Sequence, residues 1–330
     1  MNPRQLCRSP LAALLGIRQS ESVSSELFRF GYQLGSGDAD QLFANARAAE
    51  HAGFDVIHTF DHVGEVWPPL APLMAVASVT RSVRLCPLVV NNDFHHPVHL
   101  AREIAALDHL TGGRMELGLG AGHSFTEYEA IGASFDAPPM RKARMCEAVE
   151  IIRRLFDGDT VSFSGEHYQL HDVRITKALQ THLPILVGVK GRTALRHAAR
   201  HADTIGLTML GRTLADGQRH ETRWEADRLD RTIAFMREAA TGRPTTLELH
   251  ALVQAIIVTD DRQAAAETVA RNGWTPTGDD ALRTPFLAIG THSEIAEHLL
   301  ACRERWGISY FTVRDIDAFA PVIQRLKGAP

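Results

Sequence analysis

The sequence is poor in cysteine, in lysine and in long apolar runs. Its four cysteines lie far apart among 330 residues, and no CxxC pair indicates a zinc knuckle or a disulfide framework. Only four of its 35 basic side chains are lysines, and the formal net charge is −4, so it lacks the basic surface typical of proteins that bind nucleic acid. No apolar stretch reaches the roughly 18 residues that a membrane span requires. These absences predict a cytoplasmic protein that binds neither nucleic acid nor membrane.

Two chemical signatures are also missing. The stretch after the first predicted strand is Leu34-Gly35-Ser36-Gly37-Asp38, which is not the GxGxxG of a dinucleotide-binding fold. The HxH pattern of metal-dependent hydrolases does not follow that strand either. His95, His96 and His99 have no matching carboxylate–histidine pair at another predicted strand end. We therefore expect no metal ion at the site.

What is present has the composition of a folded domain. Hydrophobic residues make up 45% of the chain and charged residues 22%, close to the averages of globular proteins. Residues 1–20 differ, because they contain arginines and serines but no acidic residue. We expect residues 1–27 to be a disordered N-terminal extension, with a transit peptide as the alternative. Residues 28–330 are expected to form a single domain, since no linker or repeat divides them.

The remainder alternates between predicted strands and helices. Apolar runs and alternation predict strands at 28–34, 54–59, 83–90, 114–119, 185–189, 204–208, 247–258 and 310–313. Helical spacing predicts helices at 40–52, 68–80, 97–110, 141–156, 193–201, 223–240, 262–271, 291–306 and 317–326. A small β-hairpin is expected at 161–170. Eight strand–helix units over about 300 residues predict an α/β fold, best a (β/α)₈ TIM barrel with insertions, and a doubly wound sheet is the alternative.

In such a barrel the chemistry lies at the carboxyl ends of the strands. The second predicted strand ends at Asp61-His62, and a histidine beside a carboxylate suits proton transfer or contact with a charged ring. The fourth ends in the glycine-rich stretch Gly118–His123, which lets a flat ligand or a phosphate approach the backbone. The fifth runs through Gly188–Thr193 into a helix, an arrangement typical of an anion site.

Six segments carry a family resemblance: FGYQL (30–34), AEHAGFDVIHTFDHV (49–63), HPVHLAREIAALDHLTGGRMELGLGAGH (96–123), TEYEAIG (126–132), VSFSGEHYQL (161–170) and PILVGVKGRTALRHAARHADTIGLT (184–208). In these segments the chain resembles the luciferase-like monooxygenase superfamily, and within it the oxidoreductases that depend on the deazaflavin coenzyme F420. The resemblance covers residues 28–330 and is densest from 49 to 208. It implies a TIM barrel with insertions that is generally dimeric.

The resemblance also implies roles for individual residues. It implies catalytic roles for His62, oriented by Asp61, and makes His123 a second candidate acid. It implies cofactor contacts for Leu88 and Val89 (joined by a non-proline cis peptide in many members), Asn91, Gly120, Ala121, Gly122, Gly188, Gly191, Arg192 and Thr193. The last four match the phosphate-binding turn. Independently of the resemblance, Trp67 and Tyr128 are candidate walls of the substrate side, with core packing as the alternative. Glu127 is a candidate polar residue of the substrate pocket, with a solvated helix charge as the alternative.

One departure limits the substrate. Sugar-phosphate dehydrogenases of the family have a glutamate directly after the glycine of the fourth strand, where this chain has His123. This difference argues against glucose 6-phosphate. The resemblance implies hydride transfer between coenzyme F420 and a C=C, C=N or carbonyl carbon of a small organic molecule. The alternatives are an FMN-dependent monooxygenase served by a separate cofactor reductase and, more remotely, a non-catalytic flavin-binding protein.

Overall fold

The structure is a computed structural model that describes residues 28–213, 220–243 and 245–328. The predicted N-terminal extension, residues 1–27, lies outside the described residues. Along the described chain the strands are β1 (Arg29–Gln33), β2 (Val56–Thr59), β3 (Arg84–Pro87), β4 (Val90–Asn91), β5 (Leu117–Gly120), β6 (Val161–Ser164), β7 (Gln169–Val173), β8 (Ile185–Gly188), β9 (Thr204–Leu207), β10 (Leu210–Thr213), β11 (His220–Thr222), β12 (Glu248–Leu252), β13 (Ala255–Val258), β14 (Leu287–Gly290) and β15 (Ile308–Val313).

The helices alternate with these strands. They are α1 (Ala39–His51), α2 (Leu70–Val79), α3 (Pro97–Leu110), α4 (Phe125–Ala130), α5 (Pro138–Asp157), α6 (Arg192–His201), α7 (Ala226–Ala239), α8 (Arg262–Arg271), α9 (Gly278–Arg283), α10 (His292–Trp306) and α11 (Ile316–Lys327), with a 3₁₀ turn at Asn92–Phe94. Their ends follow sequence signals. Helix α10 begins with a capping box between Thr291 and Glu294 and ends at Gly307, whose φ is 73°.

The parallel strands form a barrel. Their order in the sheet is β3-β2-β1-β15-β12-β9-β8-β5-β4, and β3 and β4 are two halves of one barrel strand. The circle closes where Leu85 of β3 donates its N–H to the Arg114 carbonyl and accepts from the Glu116 N–H, each at 2.9 Å. Eight strand positions therefore surround the core, and the predicted (β/α)₈ barrel is confirmed.

The third barrel strand departs from the prediction. The apolar run 83–90 reads as one strand, but its pairing stops at Pro87 and resumes at Val90. The peptide bond between Leu88 and Val89 is cis, which confirms the expectation drawn from the family resemblance. The run of apolar residues could not show this break, because a buried strand and a buried bulge have the same composition.

The predicted strand 247–258 is also wrong as a single strand. It divides into β12, which lies in the barrel between β9 and β15, and β13, which pairs with β14 outside the barrel. The change occurs at two adjacent residues: Val253 N–H donates to the Thr312 carbonyl, whereas Gln254 N–H donates to the Phe286 carbonyl. The sequence predicted the hairpin β6–β7. It did not predict helices α4 and α9 or strands β10, β11 and β14.

A charged cluster lies inside the barrel near the amino ends of the strands. The Glu116 carboxylate, 2% exposed, accepts from Arg29 Nη2 at 2.7 Å and also from Arg84 Nε. Arg29 Nη1 reaches Glu248 at 2.7 Å, and the Arg29 guanidinium lies 4.4 Å from the centre of the Tyr310 ring. This cluster joins β1, β3, β12 and β15 to the segment before β5.

The close approach of β3 and β5 makes Gly118 a structural requirement. A Cβ at Gly118 would lie well inside van der Waals contact with the Pro87 carbonyl oxygen and 3.3 Å from Val89 Cγ1. A backbone oxygen cannot rotate away as a side chain can. We expect Gly118→Ala to lower the free energy of unfolding by about 3 kcal/mol. Urea denaturation would test this, with Gly35→Ala as the matched control, since nothing lies within 4 Å of a Cβ there. Equal stability of the two variants would contradict the packing argument.

Candidate active site

A cavity of about 530 Å³ opens at the carboxyl ends of the barrel strands. Residues from every barrel strand position or the loop after it line this cavity. Its wall is largely apolar at Leu88, Val89, Leu186 and Leu207. Such a concave, mainly apolar site with a few polar groups is the usual form of a small-molecule or cofactor site.

Most of the residues predicted from the sequence line this cavity. They are Asp61, His62, Leu88, Val89, Asn91, Gly120, Ala121, Gly122, His123, Glu127 and Gly188. Five predicted residues are not among its lining residues: Trp67, Tyr128, Gly191, Arg192 and Thr193. The residues that sequence reasoning missed include Gln33, Lys142, Lys190, His250 and Arg314.

His62 is held by Glu127. The His62 Nδ1 atom lies 2.8 Å from Glu127 Oε1, and the other carboxylate oxygen accepts weakly from the Val63 N–H at 3.4 Å. The His62 side chain is 41% exposed and the Glu127 side chain 14%, so the pair lies at the rim of the cavity with the carboxylate on the inner side. The His123 ring lies edge-on to His62, with 5.6 Å between the ring centres.

The predicted contact between Asp61 and His62 is therefore wrong. Asp61 Oδ2 accepts the Asn91 N–H at 2.9 Å and lies 3.3 Å from His95 Nε2. This contact ties the loop after β2 to β4, next to the cis peptide. Adjacency in the chain suggested the Asp61–His62 pair, but the two side chains contact different partners. Glu127 reaches His62 from helix α4, which the sequence pattern did not reveal.

Tyr128 supports the site from behind. Its side chain is buried, and its hydroxyl lies 3.1 Å from Asn91 Oδ1 and 2.9 Å from Asp93 Oδ2. Burial raises the pKa of Tyr128 to about 12. Arg144 completes the group with an ion pair to Asp93 at 2.9 Å. Tyr128 thus holds Asn91 in place, so of its two predicted roles the structure favours core packing over a wall of the substrate side.

The side chains predicted to bind an anion at the turn after β8 do not line the cavity. The Arg192 guanidinium lies 4.4 Å from the centre of the Phe235 ring of α7, and Thr193 is exposed. The residue before Arg192, Gly191, has a φ of 93° and forms the N-cap of α6. The positive charge beside this turn comes instead from Lys142 and Lys190.

His250 occupies the inner end of the cavity. It is 2% exposed, and its Nε2 atom lies 2.8 Å from Thr312 Oγ1. Burial holds the pKa of His250 well below its usual value, so the ring is neutral at physiological pH. A neutral imidazole here offers hydrogen bonds without charge.

The described residues give no sign of a metal centre or a membrane span. Within residues 28–213, 220–243 and 245–328, no group of three or more His, Cys, Asp or Glu side chains could hold a metal ion. Over the same ranges, every helix is too short or too polar to cross a bilayer.

Comparisons of the chain with a family model and with curated proteins agree on one family. The model of the family described as luciferase-like monooxygenase matches residues 22–310. The F420-dependent hydroxymycolic acid dehydrogenase of Mycobacterium tuberculosis is 30% identical over 238 residues, which are 68% of this chain and 61% of that protein. The chain spans about half to three fifths of the length of the curated relatives it matches first.

Two solved structures resemble the whole barrel. An F420-dependent secondary alcohol dehydrogenase in complex with an F420–acetone adduct superposes with a TM-score of 0.71 at 19% identity, covering 92% of this chain and 99% of that one. The monooxygenase RslO1 from Streptomyces bottropensis superposes with a TM-score of 0.68 at 22% identity, covering 91% and 97%. At these identities the likeness shows the fold alone.

Proposed function

Because the chain belongs to the luciferase-like monooxygenase family, we propose that it is an oxidoreductase that transfers a hydride between the deazaflavin coenzyme F420 and a C=C, C=N or carbonyl carbon of a small organic substrate. The observation that carries the proposal is the His62–Glu127 pair at the rim of a largely apolar cavity. Curated relatives that are named as F420-dependent dehydrogenases support this choice of cofactor.

The residues of the cavity fit a flat ring. Leu88, Val89 and Leu186 provide apolar surface, while Gly120 and Gly188 present backbone without side chains. When bound, a deazaflavin supplies or accepts the hydride. The apolar wall excludes water from the reacting atoms, and we assign to Leu88 and Val89 the face on which the ring packs.

His62 is assigned the proton transfer. A carboxylate at Nδ1 favours the tautomer with the proton on that nitrogen. His62 can then donate or accept a proton at Nε2, with Glu127 fixing the plane of the ring. His123 lies close enough to His62 to be the second candidate acid. Asp61 is a positioning residue that holds Asn91 and His95.

An FMN-dependent monooxygenase is the second candidate. The family whose model matches residues 22–310 is described as luciferase-like monooxygenase, and the same cavity fits an isoalloxazine ring. Such an enzyme would consume oxygen and would need a separate cofactor reductase. Single-domain organisation of residues 28–330, a homodimer and cytoplasmic location stay predictions.

Two assays, one without oxygen and one with oxygen and reduced FMN, separate the two candidates. The purified protein is mixed without oxygen with reduced coenzyme F420 and a panel of activated alkenes, imines and ketones, and reoxidation of the cofactor is followed by its absorbance. Our proposal expects reoxidation coupled to one equivalent of reduced product. Turnover that requires both oxygen and reduced FMN would contradict it and favour the monooxygenase. A protein that binds the ring but gives no turnover under either condition would be a binding protein.

A further inference from the structure

Two lysines meet at one end of the cavity. Lys142 lies near the start of α5 and Lys190 directly after β8, and both are half-buried residues that line the cavity. They are two of the four lysines in the chain, the others being Lys177 and Lys327. The space that a Cβ would take at Gly191 lies 3.2 Å from Lys142 Nζ, so this ammonium reaches the turn that follows Lys190.

Further positive charge surrounds this pair. Arg141 precedes Lys142 and donates to the carbonyl oxygens of Ala121, at 3.2 Å, and Gly122. Burial, followed by repulsion from Arg141, lowers the pKa of Lys142. Burial lowers the pKa of Lys190 as well, and Lys142, Arg141 and Arg223 add to the effect. Like charges held this close in a partly desolvated site favour the binding of an anion.

Neither lysine forms an ion pair with any residue in the described ranges, and the hydrogen bond of Lys190 is to the carbonyl of Gly211 at 2.7 Å. Arg192, the arginine that the sequence offered for an anion, instead lies over Phe235. The charge for an anion near the β8 turn therefore comes from Lys142 and Lys190.

We propose that Lys142 and Lys190 bind the phosphate group of the ring cofactor, with the ring extending from there along Gly188 and Gly120 toward His62. The proposal rests on the proposed function, because it takes the ligand to be a flavin or deazaflavin. The shared chemistry is a phosphate ester: a phosphodiester in coenzyme F420 and a phosphomonoester in FMN. Hydrogen bonds from charged donors to phosphate are short and strong, and Arg192 plays no part.

The test compares each cofactor with its phosphate-free form. Dissociation constants are measured by ligand fluorescence for coenzyme F420 and its ribityl-deazaflavin core, and for FMN and riboflavin. The variants are Lys142→Gln and Lys190→Gln, with Arg192→Gln as the matched control for a cation at the same turn. Circular dichroism melting verifies that each variant is folded.

We expect each lysine variant to weaken binding of the phosphorylated ligand about tenfold or more and to leave binding of the phosphate-free form unchanged. Arg192→Gln should change neither. Equal losses for both forms of a ligand would overturn the assignment, as would a loss in Arg192→Gln as large as in the lysine variants. The ligand whose affinity shows this pattern identifies which phosphate ester the site takes.

Inorganic phosphate separates this inference from the proposed function. Acylation of lysines in the wild-type protein is followed by mass spectrometry with and without inorganic phosphate. Protection of Lys142 and Lys190, but not of Lys177, supports the anion site even if no ring cofactor binds, in which case the proposed function fails alone. Unprotected Lys142 and Lys190 in a protein that binds the cofactor would overturn the lysine assignment alone.

Discussion

We expect the replacement of His62 with glutamine to slow turnover about 10²–10⁴-fold while the affinity for the cofactor changes little. This range is what a positioned acid or base contributes, and glutamine can form hydrogen bonds but cannot carry the proton. The His62 imidazole lies at the rim of the cavity and not in its apolar wall, so its loss should leave the affinity for the cofactor nearly unchanged. The measurement is kcat with saturating cofactor, together with the cofactor dissociation constant.

Companion variants make this result specific. Glu127→Gln should also lower kcat, because it removes the carboxylate that fixes the orientation and tautomer of the His62 ring. His171→Gln, an exposed histidine on the β6–β7 hairpin, should have no effect. A Glu127→Gln variant with full activity would contradict the assignment of the pair. A His62→Gln variant with full activity would move the proton transfer to another group, His123 first.

Replacing Glu116 with alanine destabilises the fold by about 3–5 kcal/mol, because it leaves two arginines without their buried partner. The Glu116 side chain is 2% exposed and contacts both Arg29 and Arg84. Urea denaturation measures the loss. Asp279→Ala is the matched control, since its ion pair with Arg283 at 3.8 Å is exposed and should contribute less than about 1 kcal/mol.

The same carboxylate makes part of the stability depend on pH. Burial opposes ionisation of Glu116, but Arg29 and Arg84 outweigh it and hold its pKa below the ordinary value of 4.5. A carboxylate whose pKa is lowered by folding stabilises the protein fully above its unfolded pKa and loses this contribution as pH falls through its folded pKa. The stability difference between wild type and Glu116→Ala should therefore shrink below pH 4.5. A difference that stays constant there would contradict the charge-based account.

The barrel was predictable because its signals are local. Strand 83–90 and helix 97–110 are continuous apolar or periodic runs, and the structure places a barrel strand and α3 there. Division of the segment 247–258 between two sheets was not predictable. Neither side of the break carries a proline or glycine, and only the partners of Val253 and Gln254 differ.

The site was predictable as a set of strand ends but not as a set of contacts. Position along the chain brought His62, Asn91 and Gly120 to one cavity, since parallel strands end at the same side of a barrel. It could not show that Glu127 rather than Asp61 contacts His62, because that contact joins segments 65 residues apart. Lys142 was missed for the same reason, although the scarcity of lysine was a signal that could have found it.

The most direct test of this account is the relative affinity of the purified protein for coenzyme F420 and for FMN, measured by titration of ligand fluorescence in both redox states. We expect micromolar binding of coenzyme F420, a value ordinary for cofactors and corresponding to about −8 kcal/mol, and weaker binding of FMN. Tight binding of FMN with weak or absent binding of coenzyme F420 would contradict the proposed hydride transfer from a deazaflavin.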